Sequence, residues 1–228
     1  MVSERPLALV TGASRGIGAA VAAALAPTHD LLLGGRDGAA LSGVADTLGA
    51  RALPWPVDLT DPAALAGATE RIDELDVLVH SGGVGLLGTV EELDADSWRR
   101  QFEVNVVAVA ELTRLLLPAL RASRGTVVCV NSGAGLAARA GWGSYAASKF
   151  ALRAFADALR AEEPSMRVCS VHPGRVDTDM QRAVVAHEGG TYDAARYLRP
   201  ESVASAVLTA VTISPDAHIT EVVVRPTG

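Results

Sequence analysis

Apolar positions in this chain fall into short, nearly unbroken clusters. Leu7-Ala8-Leu9-Val10, Leu31-Leu32-Leu33, Leu75 to Val79 (interrupted by Asp76), Val127 to Val130 and Val168 to Val171 (interrupted by Ser170) end at Thr-Gly, Gly, His, Asn and His. Apolar runs of this length without polar alternation predict strands covered on both faces. A further strand is predicted near 51–57 and a last one over 218–224. Between them lie stretches of helical period at 19–26, 63–73, 96–120 and 143–161, with another helix after Pro200. Strand and helix in alternation predict a parallel sheet with helices on both sides. The expected fold class is therefore α/β, a single doubly wound Rossmann-like domain over 1–228 with a seven-stranded parallel sheet. Two small domains are the formal alternative, but no internal repeat, low-complexity linker or long charge run divides the chain. The segment 175–198 has weaker periodicity, with Met180, Val184, Val185, Tyr192 and Tyr197 scattered through it, and it reads as a mobile lid.

Composition narrows the picture. The chain is 49% apolar and only 4% aromatic, so Ala, Val and Leu must build the core and helices must approach the sheet closely. A net charge of −6 argues against a nucleic-acid partner, which needs a basic face to neutralise phosphates. No signal-peptide pattern or bilayer-length apolar run is present, so a soluble, cytoplasmic protein is expected. Cys129 and Cys169 fall inside strand-like runs without ligand spacing. They are expected to be buried free thiols, and no metal site is expected.

The first strand runs directly into Thr11-Gly12-Ala13-Ser14-Arg15-Gly16-Ile17-Gly18 and then an Ala-rich helix. Such glycines let backbone turn tightly and approach a pyrophosphate, while N–H groups at the helix start face the anion. A tight turn without a ligand is the less favoured alternative. The second strand ends in Gly35-Arg36, where an acidic residue would grip a free ribose 2′-hydroxyl. Space at Gly35 and charge at Arg36, with Arg15 in the glycine loop, suit a 2′-phosphate and hence NADP(H). Asp37 can neutralise Arg36 or pair with the ribose. Asp58 follows the third strand at a position to border an adenine, in competition with a helix cap at Thr60 or Asp61 before Pro62.

The stretch Ser132 to Lys149 carries the proton chemistry. Nineteen of the twenty basic residues are Arg; the one Lys, at 149, stands four residues after Tyr145. On a helix these share a face. A cation at ~5 Å in an effective dielectric of ~20 favours phenolate by ~3 kcal/mol, roughly two pKa units, bringing a phenol toward working pH. A surface Tyr and a solvated Lys that happen to be four apart are the bland alternative. Ser132 ends the fifth strand, where ligands gather in open α/β sheets, so its hydroxyl and that of Tyr145 are expected to bond one substrate oxygen. Gly133, Gly135, Gly141 and Gly143 are read as keeping the joining loop pliable. Asn105, in a valine stripe, either bridges a backbone kink to ordered water or is a satisfied core amide. His80 and His172, each at a strand end, are expected to be structural.

Taken together these motifs resemble the short-chain dehydrogenase/reductase family over essentially the whole chain: TGASRGIG at 11–18, Asp58, Asn105, Ser132, Tyr145 with Lys149, and Pro173-Gly174 through Thr178. The resemblance implies that Tyr145 is the general acid/base, that Lys149 lowers its pKa and holds the nicotinamide ribose, that Ser132 orients the carbonyl and that Asn105 supports a water relay. It implies Gly12, Ser14, Arg15, Ile17 and Gly18 for the pyrophosphate and adenosine side. Arg36 would take the 2′-phosphate, Asp58 and Leu59 the adenine side, Gly82 a backbone contact, and Val176 with Thr178 the nicotinamide amide. The chain departs from the family where His80-Ser81-Gly82-Gly83 replaces the usual Asn-Asn-Ala-Gly, so the side chains that brace the central strands there are missing. The implied activity is NADP(H)-dependent interconversion of a secondary alcohol and a ketone or aldehyde, in a dimer or tetramer. A nucleotide-sensing regulator without turnover and an epimerase or dehydratase of the extended group are the alternatives.

Overall fold

The computed structural model describes residues 5–227. Seven strands, β1 (Leu7–Thr11), β2 (Asp30–Gly35), β3 (Ala52–Pro56), β4 (Val77–His80), β5 (Thr126–Val130), β6 (Arg167–Pro173) and β7 (Glu221–Val224), form one parallel sheet in the order β3-β2-β1-β4-β5-β6-β7. The order reverses between β1 and β4, which opens a crevice at the carboxyl ends of those strands. The α/β doubly wound architecture is as the sequence pattern predicts.

Because side chains alternate across a strand, each apolar run divides between two cores. Ala8, Val10, Val77, Val79, Val128, Cys169 and Val171 face one layer, with α1 (Gly16–Leu25), α2 (Gly38–Leu48) and α8 (Pro200–Thr212). Leu9, Leu78, Val127, Cys129 and Val168 face the other, with α5 (Ala108–Ser123) and α6 (Gly143–Glu162). Each fully buried Leu or Val contributes roughly 1.5–3 kcal/mol. Small residues do most of the helix packing: Val21, Ala22, Val203, Ala204, Val207 and Ala210 are all essentially inaccessible. Both cysteines are free and buried, one in each layer.

Local chemistry sets the helix starts. Asp37 caps α2, Asp61 caps α3 (Pro62–Thr69) with Pro at its first position, and Asp94 caps α4 (Ala95–Phe102). Thr178 caps α7 (Asp179–His187). The segment 96–120, expected as one helix, is instead α4 and α5 joined by a π-helical turn, Glu103–Val107. There the Ala108 N–H bonds the Glu103 carbonyl, a five-residue spacing that inserts one extra residue into the helix. The helix expected over 63–73 ends at Thr69, and the last strand is confined to Glu221–Val224. Among the described residues no helix is long and apolar enough to cross a membrane.

Candidate active site

The crevice begins where two loops meet. Gly12, at φ 66°, lies so close to the β4 end that a Cβ there would come within 2.9 Å of Gly82 Cα. Thr11 Oγ1 accepts from the Ser81 and Gly82 N–H groups at 3.1 Å each and donates to the Val79 carbonyl at 3.3 Å. The brace lost with Asn-Asn-Ala-Gly is thus supplied by a threonine on the neighbouring strand. A second brace comes from His80. Its Nε2 is 2.9 Å from Thr113 Oγ1, whose own proton goes to the Val109 carbonyl, so Nε2 is the protonated nitrogen. Complete burial holds the His80 pKa down at about 3, which keeps the ring neutral.

The glycine turn itself is built by close approach. A Cβ on Gly18 would stand 2.2 Å from the Gly12 carbonyl oxygen. The start of α1 has no side-chain cap, unlike α2, α3, α4 and α7 but like α6, and no acidic residue in its first turn. Its unpaired N–H groups and the positive end of the helix dipole are a ready anion site. Arg15 pairs with Asp179 at 3.2 Å, both largely exposed. Asp37, read as a possible partner of Arg36, is committed to α2, accepting from the Ala40 N–H at 3.0 Å. Arg36 therefore stays exposed at the β2 end. Asp58 is exposed; its carboxylate accepts from the Thr60 N–H and hydroxyl, and these bonds hold its pKa below the usual range. Asp61, not Thr60 or Asp58, is the cap of α3. Leu59 packs against Gly82.

Across the crevice, Ser132 and Tyr145 line one cavity of about 430 Å³ together with Ile17 of the glycine turn, Val176 and Thr178. Tyr145 is 8% exposed, its ring edge-on to Trp142 at 5.9 Å between centroids. Lys149 is 6% exposed; its Nζ donates to the Val130 carbonyl at 3.1 Å and lies 5.9 Å from the Tyr145 ring centroid. One expectation is corrected here. Burial pushes the Tyr145 pKa up, and the nearby Ser132 hydroxyl pulls it only partly back. A phenol this deep loses more from desolvation than a neighbouring ammonium returns. Desolvation also lowers Lys149, to about 8.

Asn105 sits in the π turn, 1% exposed. Its Oδ1 accepts from the Val84 N–H, and its Nδ2 donates to the Val84 carbonyl and to Ser148 Oγ, at 2.9, 2.9 and 3.0 Å. Four residues earlier, Gln101 does the same for Leu86, at 2.9 and 3.1 Å, and also donates to Ser144 Oγ. Two amide side chains thus take the place of a neighbouring strand for the loop 84–86 and tie it to α6. Both Asn105 N–H groups are spent; only Oδ1 can take a further donor. A Cβ on Gly83 would lie 3.1 Å from that oxygen and 3.8 Å from Lys149 Nζ.

Sequence reasoning missed Gln101 and also Asn131. Asn131 Nδ2 donates to the Lys149 carbonyl at 3.1 Å and Oδ1 accepts from the Ser132 N–H at 2.9 Å, which pins α6 to the β5 end. The signal available was an amide directly after a fully apolar strand. The expected pliability of Gly135 is also corrected: a Cβ there would strike Asn131 Oδ1 at 2.5 Å and the Lys149 carbonyl at 2.9 Å, so this glycine permits close packing. Thr178, besides capping α7, contacts Gly16, and Val176 is buried and bridges to Leu198. His172 is fully buried between the Ser132 carbonyl and the Glu221 carboxylate, a structural placement. Of the predicted site residues, Ile17, Ser132, Tyr145, Val176 and Thr178 line the 430 Å³ cavity, whereas Gly12, Ser14, Arg15, Gly18, Arg36, Asp58, Leu59, Gly82, Asn105 and Lys149 lie outside its lining.

Comparison with known proteins agrees with this fold. A family model described as short chain dehydrogenase matches residues 6–189. An uncharacterized short-chain type dehydrogenase/reductase of Sinorhizobium fredii is 34% identical over 97% of this chain and 92% of its own length. The 3-oxoacyl-acyl-carrier-protein reductase of Salmonella typhimurium is 34% identical over 81% of this chain and 79% of its own. The glycine betaine reductase of Emericella nidulans is 33% identical over 96% of this chain, which spans only 18% of that longer protein. Among solved structures, an alcohol dehydrogenase from Thermococcus sibiricus complexed with 5-hydroxy-NADP superposes with a TM-score of 0.89 at 28% identity, covering 98% of this chain and 97% of that one. A metagenomic short-chain oxidoreductase in complex with NADP gives 0.83 at 29% identity, covering 98% and 97%.

Proposed function

The chain belongs to the short-chain dehydrogenase/reductase family of NAD(P)-dependent oxidoreductases, and from that premise we propose that it is an NADP(H)-dependent enzyme interconverting a secondary alcohol and a ketone or aldehyde. The observation that carries this is the convergence of Ser132 and Tyr145 on one cavity with Ile17 of the glycine turn, Lys149 lying buried behind the phenol. A regulator that only bound nucleotide would not need a buried phenol sharing a cavity with a serine and backed by a desolvated amine.

The residues fit the dinucleotide. The uncapped start of α1 suits a pyrophosphate, and Arg36, freed by the commitment of Asp37 to α2, suits a 2′-phosphate. Gly12, Ser14, Arg15, Ile17 and Gly18 form the turn, Asp58 and Leu59 border the adenosine side, and Gly82, Val176 and Thr178 complete the wall. When bound, the nicotinamide supplies or accepts hydride. In the reducing direction Ser132 and Tyr145 hold the carbonyl oxygen, and Tyr145 donates its proton to it. A raised pKa keeps that proton in place at rest; once it leaves, the phenolate is supported by the Ser132 hydroxyl and the Lys149 ammonium, which a pKa of about 8 leaves mostly charged at neutral pH. Asn105 holds loop 84–86 and offers Oδ1 toward the Lys149 corner, where a water relay would pass.

The chain acts as a single dinucleotide-binding domain, with 175–198 as a lid hinged beside Thr178. Exposed Val107 and Phe150, 50% and 42% accessible, suit self-association through the α4–α5 and α6 faces. The test is a carbonyl panel followed by NADPH absorbance, with NADPH affinity measured separately by fluorescence. Binding without turnover of any ketone or aldehyde would replace the enzyme reading with the regulator.

A further inference from the structure

We infer that the carbonyl substrate also carries an anionic group, a carboxylate or a phosphate, held by arginines at the cavity wall away from the glycine turn; this rests on the oxidoreductase reading above. The cavity is lined by Arg139, Arg175, Arg196 and Arg225 and by no Asp or Glu, in a chain of net charge −6. A cationic wall in an acidic protein concentrates anions locally.

The four arginines are not equivalent. Arg175 is paired with Glu188 and lies 6.0 Å from the Trp142 ring centroid. Arg225 donates to the His172 carbonyl at 2.9 Å, and its guanidinium lies against Gly133, one residue after Ser132; a Cβ on Gly133 would be 3.2 Å from it. These two are positioned by the protein. Arg139 and Arg196 are exposed and, like Arg36, Arg100 and Arg199 but unlike Arg99, Arg114, Arg121 and Arg182, have no acidic side chain within ion-pair distance among the described residues; of these unpaired arginines, only Arg139 and Arg196 also line the cavity. Their charge is left for a ligand.

Location separates this charge from the cofactor's phosphates. Arg139 stands on the loop between Ser132 and Tyr145, Arg196 in the short turn Ala194–Arg196, and Arg225 just after β7. All lie on the β5–β7 half, opposite the uncapped α1 and Arg36. Leu87, Leu136, Trp142, Met180 and Val184 supply the rest of the lining, which suits a hydrocarbon body. The substrate class is thus a small oxo acid or phosphorylated ketone, its carbonyl at Ser132 and Tyr145 and its anion on a guanidinium fork.

The test uses the whole protein with NADPH and three matched substrates: a medium-chain oxo acid, its methyl ester and a phosphorylated ketone of similar length. The expected result is kcat/KM for an anionic member about tenfold or more above that of the ester, carried by KM and shrinking as salt is raised. Whichever anion leads identifies the group. Arg139→Gln with Arg196→Gln should cut the anion-to-ester ratio about tenfold and weaken binding of the corresponding saturated acid or phosphate ester in calorimetry. A ratio near one in the unaltered protein, or one unmoved by the double substitution, overturns the inference and leaves the oxidoreductase standing. No turnover of any of the three, with NADPH bound, overturns both.

Discussion

The two walls of the crevice are made in opposite ways. At β1–α1 the wall is backbone: Gly12 touches Gly82, Gly18 touches Gly12, and the functional groups are N–H groups that any sequence would carry. At β5–α6 the wall is side chain: Ser132, Tyr145 and Lys149, the amine held by the Val130 carbonyl and the helix behind them tied in place by Asn131, Asn105 and Ser148. A backbone wall tolerates changes of side-chain chemistry and rejects added volume. A side-chain wall does the reverse, since its groups must match in pKa and placement.

Substitutions can break that contrast. The largest effect is expected at Tyr145→Phe, which keeps the volume and removes the proton: kcat should fall about a thousandfold while NADPH affinity, read by fluorescence, stays within a factor of three or so. Retained turnover would take Tyr145 out of its role. Gly18→Ala is the mirror experiment. Its methyl would enter the Gly12 carbonyl at 2.2 Å, so the chain must shift, at a cost of about 3 kcal/mol. The urea midpoint should drop sharply and NADPH binding should fail; an unshifted midpoint would show that the glycine turn has room to spare.

Lys149→Met asks what the buried amine costs. Its folded pKa of about 8 lies below the free value of 10.5. Between those pH values the unfolded chain binds more protons, so this group makes stability rise with pH across that window and leaves it flat below. Cys129 and Cys169, raised to about 12 and about 11, act oppositely above pH 9 in both proteins, and Cys129, which the Lys149 charge holds down, adds a smaller contribution of its own to the difference. The stability of the natural protein minus that of Lys149→Met should therefore grow by about 2 kcal/mol from pH 7 to pH 10. A flat difference in urea titrations would mean that Nζ is solvated. The smallest effect belongs to the exposed edge: Arg36→Asp should shift the NADPH-to-NADH ratio of kcat/KM about tenfold or more toward NADH. An unchanged ratio would defeat the 2′-phosphate assignment.

Much of this was legible in order of residues. Nearly unbroken apolar runs announced a doubly covered sheet, and the spacing of Gly12, Gly16 and Gly18 announced the turn, because both depend on period and on the absence of side chains. The long helix at 96–120 is interrupted, since the valines around Asn105 keep helical period and do not reveal the extra residue at Glu103–Val107, where Asn105 bonds both backbone groups of Val84. Asn131 and Gln101 passed unnoticed since an isolated amide has no periodic signal. The cysteines inside β5 and β6 are buried and free, as their place in apolar runs implies, and His80 and His172 at strand ends are buried too.

The sequence by itself determined the strand and helix pattern, the glycine turn and the four-residue step from phenol to amine, all of them relations between near neighbours. Tertiary structure alone decided the direction of the Tyr145 pKa, the allotment of Asp37 to α2 rather than to Arg36, and the gathering of Arg139, Arg175, Arg196 and Arg225 around one cavity. The reason is physical: desolvation and charge act through space and depend on what the rest of the fold packs nearby, whereas periodicity and backbone freedom belong to the chain itself.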